Sequence, residues 1–188
     1  MINIIGGKYK GLKLQVPENF VRPTSAIKKE AIFSILESYC LKNSYDPYNN
    51  KCFIDLFAGS GALALEAISR GASFGYFFEL NNEVCKTLSH NCKKICKNDQ
   101  YNIFQKDSTS FDKINFIFPI SAIFIDPPYN LNPFENLLKQ FSKKNILNDH
   151  SIIIIEANKK TSIKIDRDYV IINEKIYGKT KIIFLKKL

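Results

Sequence analysis

Long apolar runs are missing from this sequence of 188 residues. None approaches the roughly 20 residues that a membrane-spanning helix needs. Residues 1–10 also lack the long apolar core of a signal peptide. We therefore expect a cytoplasmic protein with no membrane partner. The length suits one well-buried domain and is too short for two domains of full size.

Histidine is scarce and paired cysteines are absent. His90 and His150 are the only histidines, and the five cysteines form no CxxC pair. This composition disfavours a zinc site, and the odd number of cysteines disfavours a disulfide framework. One apolar stripe at helical spacing is the alternative that we prefer for the cysteine-rich segment. Its members are Cys85, Leu88, Cys92, Ile95 and Cys96.

Acidic residues are outnumbered, which leaves a net charge of +9 and a pI of about 9.2. Excess positive charge is typical of proteins that bind polyanions, because each neutralised phosphate releases counterions. The only arginines are Arg22, Arg70 and Arg167, so nearly all of the positive charge is lysine. A lysine-rich composition without any nucleic-acid partner therefore stays open as an alternative.

The first fifty residues differ in pattern from the rest. Short apolar runs at 2–5 and 12–16, separated by glycines, predict a β-hairpin or small β-ribbon. An amphipathic helix follows, with Thr24 or Ser25 as its N-cap. Residues 45–50 are rich in turn formers. We expect residues 1–48 to form an appendage and residues 49–188 a separate domain. The expected apolar face of the helix contains Ile27, Ala31, Ile32, Ile35 and Leu36.

Strand and helix patterns alternate from residue 51 onward. Strands are predicted at 52–57, 74–78, 101–105, 122–125 and 152–155. Helices are predicted at 62–70, 82–97 and 134–143. Two final strands, at 169–172 and 181–185, flank Gly178 as in an antiparallel pair. Alternation of this kind predicts a doubly wound α/β domain around a mostly parallel sheet.

A glycine-rich turn, DLFAGSG at residues 55–61, stands between the first predicted strand and helix of this domain. Glycines there let a ligand approach the backbone at the carboxyl end of a strand. A phosphate-binding P-loop is excluded, because Ala62 and Leu63 replace its Lys-Ser/Thr ending. Ala64 replaces the third glycine of the dinucleotide fingerprint, which weakens a nicotinamide site without dismissing it. A tight turn without a ligand also stays open.

Acidic residues end the next two predicted strands. A carboxylate at the position of Glu79 can accept hydrogen bonds from both ribose hydroxyls of an adenosine group. Asp107 follows the third strand, where it could hold the adenine amino group. Either residue alone is a common solvated strand end. Together with the glycine turn they favour a nucleoside-containing ligand.

The sequence Asp126-Pro127-Pro128-Tyr129 follows the apolar run at 122–125. The prolines end the strand and have no amide hydrogen to donate, so their carbonyls are available as acceptors beside the Asp126 carboxylate. Tyr129 adds a flat face on which a base can stack. Hydrogen-bond acceptors beside a stacking surface suit the exocyclic NH2 group of a nucleic-acid base.

These two motifs resemble the Rossmann-like amino-methyltransferases. More narrowly, the chain resembles the bacterial 16S ribosomal RNA guanine-N2 methyltransferases, the RsmD family. The segments that follow that family's order over nearly the whole chain are IIGGKYKGLKL at 4–14, RPT at 22–24, the stretch from DLFAGSGALALEAISRGA (55–72) to Glu79, DPPY at 126–129 and EKIYGKTKIIFL at 174–185. The resemblance implies a Rossmann-like class I methyltransferase sheet of seven strands, closed by an antiparallel hairpin and preceded by a small β-ribbon and helix.

The resemblance also implies a cofactor, a substrate and their sites. S-adenosylmethionine is the expected cofactor, and the expected acceptor is a guanine N2 in 16S ribosomal RNA, of the guanine-966 type. The implied cofactor residues are Asp55, Phe57, Ala58, Gly59, Ser60, Gly61, Glu79, Asp107 and Ser108. The residues implied to hold the guanine are Asp126, Pro127, Pro128 and Tyr129. Those implied to bind RNA phosphates are Lys8, Lys10, Lys13 and Arg22.

We expect ribosomal RNA or the assembling small ribosomal subunit as partner, no metal, and a monomer. Three other functions stay open. A DNA adenine-N6 methyltransferase also suits the DPPY motif, although the chain leaves little room for a target-recognition region. A nicotinamide-dependent oxidoreductase gives no reason for DPPY. A non-catalytic RNA-binding domain would bind RNA without affinity for the cofactor.

Overall fold

The computed structural model describes residues 2–17, 25–108 and 114–188. Arg22, and Thr24 as a candidate N-cap, lie outside the described residues. The elements in chain order are β1 (Ile2–Asn3), β2 (Lys13–Leu14), α1 (Ala26–Lys42), β3 (Cys52–Asp55), α2 (Ala62–Ser69), β4 (Phe74–Phe78), α3 (Asn82–Ile95), β5 (Tyr101–Phe104), β6 (Ile120–Ile125), α4 (Phe134–Lys144), β7 (Ile152–Asn158), β8 (Tyr169–Tyr177) and β9 (Thr180–Lys187).

Seven strands form the main sheet in the order β5-β4-β3-β6-β7-β9-β8. The first five run parallel to one another, whereas β9 runs antiparallel to both β7 and β8. The predicted α/β fold with a closing hairpin is thus confirmed. The strand order reverses between β3 and β6, and ligands of open α/β sheets bind beyond the carboxyl ends of strands at such a point.

Both faces of the sheet are covered. Alternate side chains of a strand point to opposite faces, and the central strands are buried along their whole length. One hydrophobic cluster joins one sheet face to α1, α2, α3 and the two-stranded ribbon, and it includes Phe53 and Phe124. The second cluster joins the other face to α4. Burial on both sides explains why these strands are continuous apolar runs rather than alternating ones.

The N-terminal ribbon, formed by β1 and β2, is confirmed as an antiparallel pair. Its turn docks on the C-terminal end of α2. The amide of Lys8 donates to the Ser69 carbonyl at 2.7 Å, and the amide of Tyr9 donates to Ser69 Oγ at 2.9 Å. Gly7 has φ +73, and a Cβ there would lie 1.9 Å from the Ser69 carbonyl oxygen. Only glycine fits this contact. The division into appendage and domain at residue 48 stays a prediction.

Helix α1 is confirmed, and Ser25 is its N-cap, accepting a hydrogen bond from the Lys28 amide. The predicted apolar face is wrong at its start, because Ile27 is 73% exposed. Lys28 and Lys29 are buried instead and form ion pairs with Glu156 and Glu66. Lysine is almost never buried unless it is paired. The inward side of the helix therefore combines these two paired lysines with the buried Ile32, Phe33, Leu36 and Cys40.

Helix α3 contains the predicted cysteine stripe: Cys85, Leu88, Cys92 and Ile95 are buried, and Cys96 is half-buried at the end of the helix. Within residues 2–17, 25–108 and 114–188, no group of three or more histidine, cysteine or acidic side chains is arranged to hold a metal ion. Across the same ranges, no helix has the length and apolar character needed to cross a membrane.

Candidate active site

A cavity of about 1030 Å³ opens at the carboxyl ends of β3, β4 and β6. Its volume lies at the upper end of the range for small-molecule sites. Nearly all of the side chains predicted to bind cofactor or base line it together. They are Asp55, Phe57, Ala58, Gly59, Ser60, Glu79, Asp107, Ser108, Asp126, Pro127, Pro128 and Tyr129.

Backbone hydrogen bonds hold the glycine-rich turn after β3. The Leu56 amide donates to Phe124 O at 3.1 Å, and the Ala58 amide donates to Phe78 O at 2.9 Å. These bonds attach the turn to β6 and to β4, on both sides of β3. Gly59 has φ +52, a conformation that costs other residues energy. The turn is therefore fixed in shape at the point where the strand order reverses.

Gly61 differs from the other predicted cofactor residues, since it does not line the cavity. It is the N-cap of α2 with φ +78, and a Cβ there would lie 2.6 Å from Leu88 Cδ1. Its position allows α2 and α3 to pack closely below the turn. The motif thus contains one glycine that faces the cavity and one that serves packing.

Asp55 is buried in the cavity wall, with 2% of its surface exposed. Its Oδ1 has no hydrogen-bond partner among the described residues. Burial raises the pKa of Asp55 to about 7; the backbone amides of Phe57 and Ala64 partly offset this, and the nearby charge of Glu79 adds to it. The carboxyl group therefore titrates near neutral pH and leaves one oxygen for a donor.

Glu79 follows β4 and is half-buried in the same wall. Its Oε2 accepts a hydrogen bond from the Gly59 amide at 3.0 Å, and its Oε1 accepts one from the Asn81 amide at 2.9 Å. Each carboxylate oxygen can accept more than one hydrogen bond. Glu79 thus holds the glycine turn and keeps capacity for a ligand. Asp107 is exposed beyond β5, and Ser108 beside it is buried.

The Asp126–Tyr129 segment follows β6 on the other side of the cavity. Asp126 is half-buried and Pro127 is buried. The Pro128 carbonyl accepts a hydrogen bond from the Leu131 amide at 2.9 Å, so it closes a turn rather than serving only as the expected ligand acceptor. The Tyr129 hydroxyl hydrogen-bonds Thr180 Oγ1 at 3.1 Å while 48% of the residue is exposed. The ring is thereby fixed at one end and accessible beside the cavity.

Asn91 is a buried residue of α3 that the sequence analysis missed. Its Nδ2 donates to Ser60 O and to Gln15 O, both at 2.9 Å, and its Oδ1 accepts from the Gln15 amide at 2.9 Å. One side chain thus joins the glycine turn to the residue after β2. The signal was present in the sequence, because this amide stands three residues after Leu88 and directly before Cys92, on the predicted apolar stripe.

Lys28 and Glu156 were also missed, although both line the cavity. They form an ion pair whose side chains are 9% and 5% exposed. Glu156 is the one charged residue of β7, which is otherwise almost entirely apolar. A single acidic residue in an otherwise apolar strand is the sequence pattern that could have indicated Glu156.

The predicted RNA-binding lysines lie on or beside the ribbon. Lys8, Lys10 and Lys13 are exposed, and Lys8 Nζ lies 5.3 Å from the centre of the Tyr9 ring. Arg22 lies outside the described residues. The same N-terminal segment contributes Ile2, Val16 and Pro17 to the cavity wall. The three lysines therefore belong to a segment that borders the cavity.

The strand order, the closing hairpin and the two turns that meet in one cavity are those of a Rossmann-like methyltransferase. A family model described as "Conserved hypothetical protein 95" matches residues 2–186. The chain belongs to this family, the RsmD family of methyltransferases.

Relatives of known name and structure agree with this assignment. The chain is 34% identical to the ribosomal RNA small subunit methyltransferase D of Buchnera aphidicola subsp. Acyrthosiphon pisum, over 93% of this chain and 87% of that protein. It is 30% identical to the protein of the same name from Haemophilus influenzae, over 94% of this chain and 89% of that protein. The solved structure described as "Putative methyltransferase yhhF from Escherichia coli" has 25% identity and a TM-score of 0.82 over 99% of this chain and 97% of that chain.

Proposed function

We propose that the protein transfers a methyl group from S-adenosylmethionine to the exocyclic N2 of a guanine in 16S ribosomal RNA, of the guanine-966 type. The observation that carries this proposal is the single cavity shared by the glycine turn, its acidic wall and the Asp126–Tyr129 segment. The names of the two curated relatives support small-subunit ribosomal RNA as the substrate. A cytoplasmic location and a monomeric state stay predictions.

The residues of the cavity fit S-adenosylmethionine. This cofactor carries an ammonium and ribose hydroxyls, and when bound it supplies a methyl group activated by a sulfonium. Asp55 Oδ1 is buried in the wall and has no hydrogen-bond partner in the described part of the chain, so it is suited to the ammonium. Glu79 keeps acceptor capacity for the ribose hydroxyls. Asp107 and Ser108 are then the residues beside the adenine.

Asp126 and Pro127 orient the acceptor amine in this proposal. The lone pair of guanine N2 is delocalised into the ring, so the free amine is a poor nucleophile. When the Asp126 carboxylate and the Pro127 carbonyl accept its two N–H bonds, the nitrogen becomes more tetrahedral and its lone pair turns toward the methyl group. After transfer, Asp126 takes the proton that N2 releases, directly or through water. The chain contributes mainly position and exclusion of water.

Tyr129 and the lysines of the ribbon complete the substrate site. The exposed Tyr129 ring, anchored through Thr180, provides a surface for the unstacked guanine. A base must leave its stack to reach such a cavity, and an RNA loop allows this at lower cost than a duplex. Lys8, Lys10 and Lys13, with Arg22, bind the flanking phosphates. The substrate is naked RNA or the assembling small subunit.

The test is methyl transfer to small-subunit RNA, and to the corresponding particles, from cells that lack the gene. Asp126→Ala should lower the rate by about 10³-fold, in the range for a positioned acid or base, while calorimetry finds unchanged affinity for S-adenosylmethionine. Asp149→Ala, an exposed aspartate before β7, is the matched control. Mass spectrometry then maps the methylated nucleotide. Full activity of Asp126→Ala, or transfer to adenines of duplex DNA instead, would overturn the proposal.

A further inference from the structure

The Lys28–Glu156 ion pair lines the same cavity as the Asp126–Tyr129 segment. Strands β6 and β7 are parallel neighbours, and Ile125 pairs with Ile155 in their register. Asp126 and Glu156 therefore occupy adjoining positions, one residue beyond this pair. Glu156 is in phase with Ile154, which belongs to the cluster on the α1 face of the sheet. Its side chain thus meets Lys28 of α1 and borders the acceptor side of the cavity.

One oxygen of Glu156 is left without a partner. Lys28 Nζ donates to Oε1, whereas Oε2 is buried and has no hydrogen bond among the described residues. Buried polar atoms are almost always hydrogen-bonded, so such an exception needs an explanation. Lys28 in turn has three N–H donors, and one of them donates to Glu156. An acceptor and further donor capacity therefore stand side by side in the cavity wall.

The neighbouring Lys29–Glu66 pair shows what a purely structural ion pair looks like in this chain. Lys29 Nζ contacts Glu66 Oε2 at 3.0 Å and also donates to Asn3 O at 2.6 Å. Glu66 accepts from the Ile5 amide through Oε2 and from Arg70 Nε through Oε1. Both of its oxygens are satisfied, and neither residue of the pair lines the cavity. The Lys28–Glu156 pair differs on both counts.

We propose that Lys28 and Glu156 read the Watson–Crick edge of the acceptor base and select guanine over adenine-like bases; this inference rests on the proposed function. Guanine presents O6 as an acceptor, N1–H as a donor and the N2 amine in a row. Lys28 Nζ donates to O6, Glu156 Oε2 accepts from N1–H, and Asp126 accepts from N2. Neighbouring strands lie about 4.8 Å apart, which lets Asp126 and Glu156 reach adjacent groups of one base.

The base 2,6-diaminopurine separates this reading from recognition of the amine alone. It carries the same exocyclic N2 amine as guanine, but its N1 is an acceptor and an amine replaces O6. In the cavity, N1 would face the Glu156 carboxylate and the amine would face the Lys28 ammonium. A site built to hydrogen-bond its substrate rejects an analogue that leaves buried groups unpaired by up to about 10⁴-fold.

The experiment compares kcat/KM on two RNAs, in the substrate form that the mapping assay establishes. One carries guanine at the mapped position and the other carries 2,6-diaminopurine there. We expect the wild-type protein to prefer guanine by at least about 100-fold. Glu156→Gln should lower this preference by about tenfold or more, because the amide can donate to N1 of diaminopurine. Glu174→Gln, at an exposed glutamate of β8, is the matched control and should keep the wild-type preference.

A double variant separates reading of the base from a structural tie between α1 and β7. Replacing a buried ion pair by apolar residues of similar volume is often neutral for stability, so Lys28→Met/Glu156→Leu should keep its melting temperature and its affinity for S-adenosylmethionine. We expect it to lose the preference for guanine. The inference would be overturned if Glu156→Gln kept the wild-type preference for guanine over 2,6-diaminopurine, or if the double variant kept the wild-type kcat/KM on guanine. Neither result would affect the proposed function. Absence of transfer by the wild-type protein would overturn the proposed function and this inference with it.

Discussion

Replacement of Asp55 by asparagine tests the environment of the cavity without any ligand. This carboxyl group is buried, its Oδ1 has no partner among the described residues, and burial raises its pKa to about 7 from a reference value of 3.8. Asparagine keeps the shape of the side chain and removes the charge. Its oxygen can still accept from the Phe57 and Ala64 amides. The variant should therefore be more stable than the wild-type protein at neutral pH.

The size of the effect follows from the pKa. A difference of one pKa unit corresponds to about 1.4 kcal/mol between the protonation states, so the rise from 3.8 to about 7 makes the charged form cost the folded state about 4 kcal/mol. Because the folded pKa lies above the unfolded one, protonation stabilises the fold. That stabilisation is complete below the unfolded pKa and is lost as the pH rises through about 7.

Thermal unfolding of both proteins between pH 4 and pH 8 measures this pH-dependent difference in stability. For a chain of this length, about 4 kcal/mol corresponds to a rise in melting temperature of about 10 °C. We expect Asp55→Asn to melt about 10 °C above the wild-type protein at pH 8 and within about 2 °C of it at pH 4. Equal melting temperatures at pH 8 would refute the reasoning, because the ionised carboxyl would then not be destabilised by burial.

The same variant should bind S-adenosylmethionine less tightly. Loss of a hydrogen bond between charged groups costs about 1.5–3 kcal/mol, so the dissociation constant should rise about 10- to 150-fold at pH 8. Wild-type affinity should also weaken as the pH falls below about 7, since protonation removes the charge that we propose for the contact with the ammonium. Calorimetry at pH 6 and pH 8 measures both. Equal affinity of the two proteins at pH 8 would refute the proposed contact between Asp55 and the ammonium. It would not affect the prediction that burial destabilises the ionised carboxyl group.

Two further substitutions test the supports of the site. Asn91→Ala removes three hydrogen bonds to the glycine turn and the residue after β2. This loss should lower the free energy of unfolding, measured in urea, by about 3 kcal/mol. An unchanged urea midpoint would contradict a stabilising role for these bonds. Replacing Lys8, Lys10 and Lys13 together by glutamine should reduce the slope of log affinity for RNA against log salt by about 2. An unchanged slope would remove these lysines from the RNA contact.

The positions of the two turns could be predicted from the sequence because local residues determine them. Glycines after an apolar run, and prolines after another, end strands wherever the rest of the fold lies. The order β3-α2-β4 then places the turn of residues 55–61 at the carboxyl edge of the sheet. The structure adds that Gly61 packs against Leu88, whereas Gly59 faces the cavity. Both glycines look equivalent in the motif.

The ion pairs of α1 could not be predicted, because each lysine is paired with a residue distant in sequence. Lys28 and Glu156 are 128 positions apart. Hydrophobic periodicity records only which residues are apolar, so it places adjacent lysines on the solvent side of a helix. The error at Ile27 has the same cause. The burial of these lysines depends on the acids that pair with them, and those acids lie on α2 and β7.

The length of β8 was underestimated for a different reason. Its second half contains Asn173, Glu174 and Lys175, which interrupt the apolar pattern, so the predicted strand ended at 172. In the structure the strand continues to Tyr177, and Glu174 pairs with Ile183 of β9. Exposed charges are common on edge strands, because they discourage pairing with other chains. The polar residues of β8 therefore indicate a strand at the edge of the sheet and not the loop that the sequence pattern predicted.

The packing of the N-terminal segment has a consequence for any attempt to exchange this segment between relatives in order to test its proposed role in RNA binding. Phe33 of α1 packs against Phe124 in the middle of the sheet, with ring centroids 5.9 Å apart, and the Arg70 guanidinium, after α2, stacks on the same Phe33 ring. A transplanted N-terminal segment must therefore include a helix that covers Phe124, or the chimaera will expose its hydrophobic core to water. The N-terminal segment therefore supports the folding of the sheet, whatever its share in substrate binding.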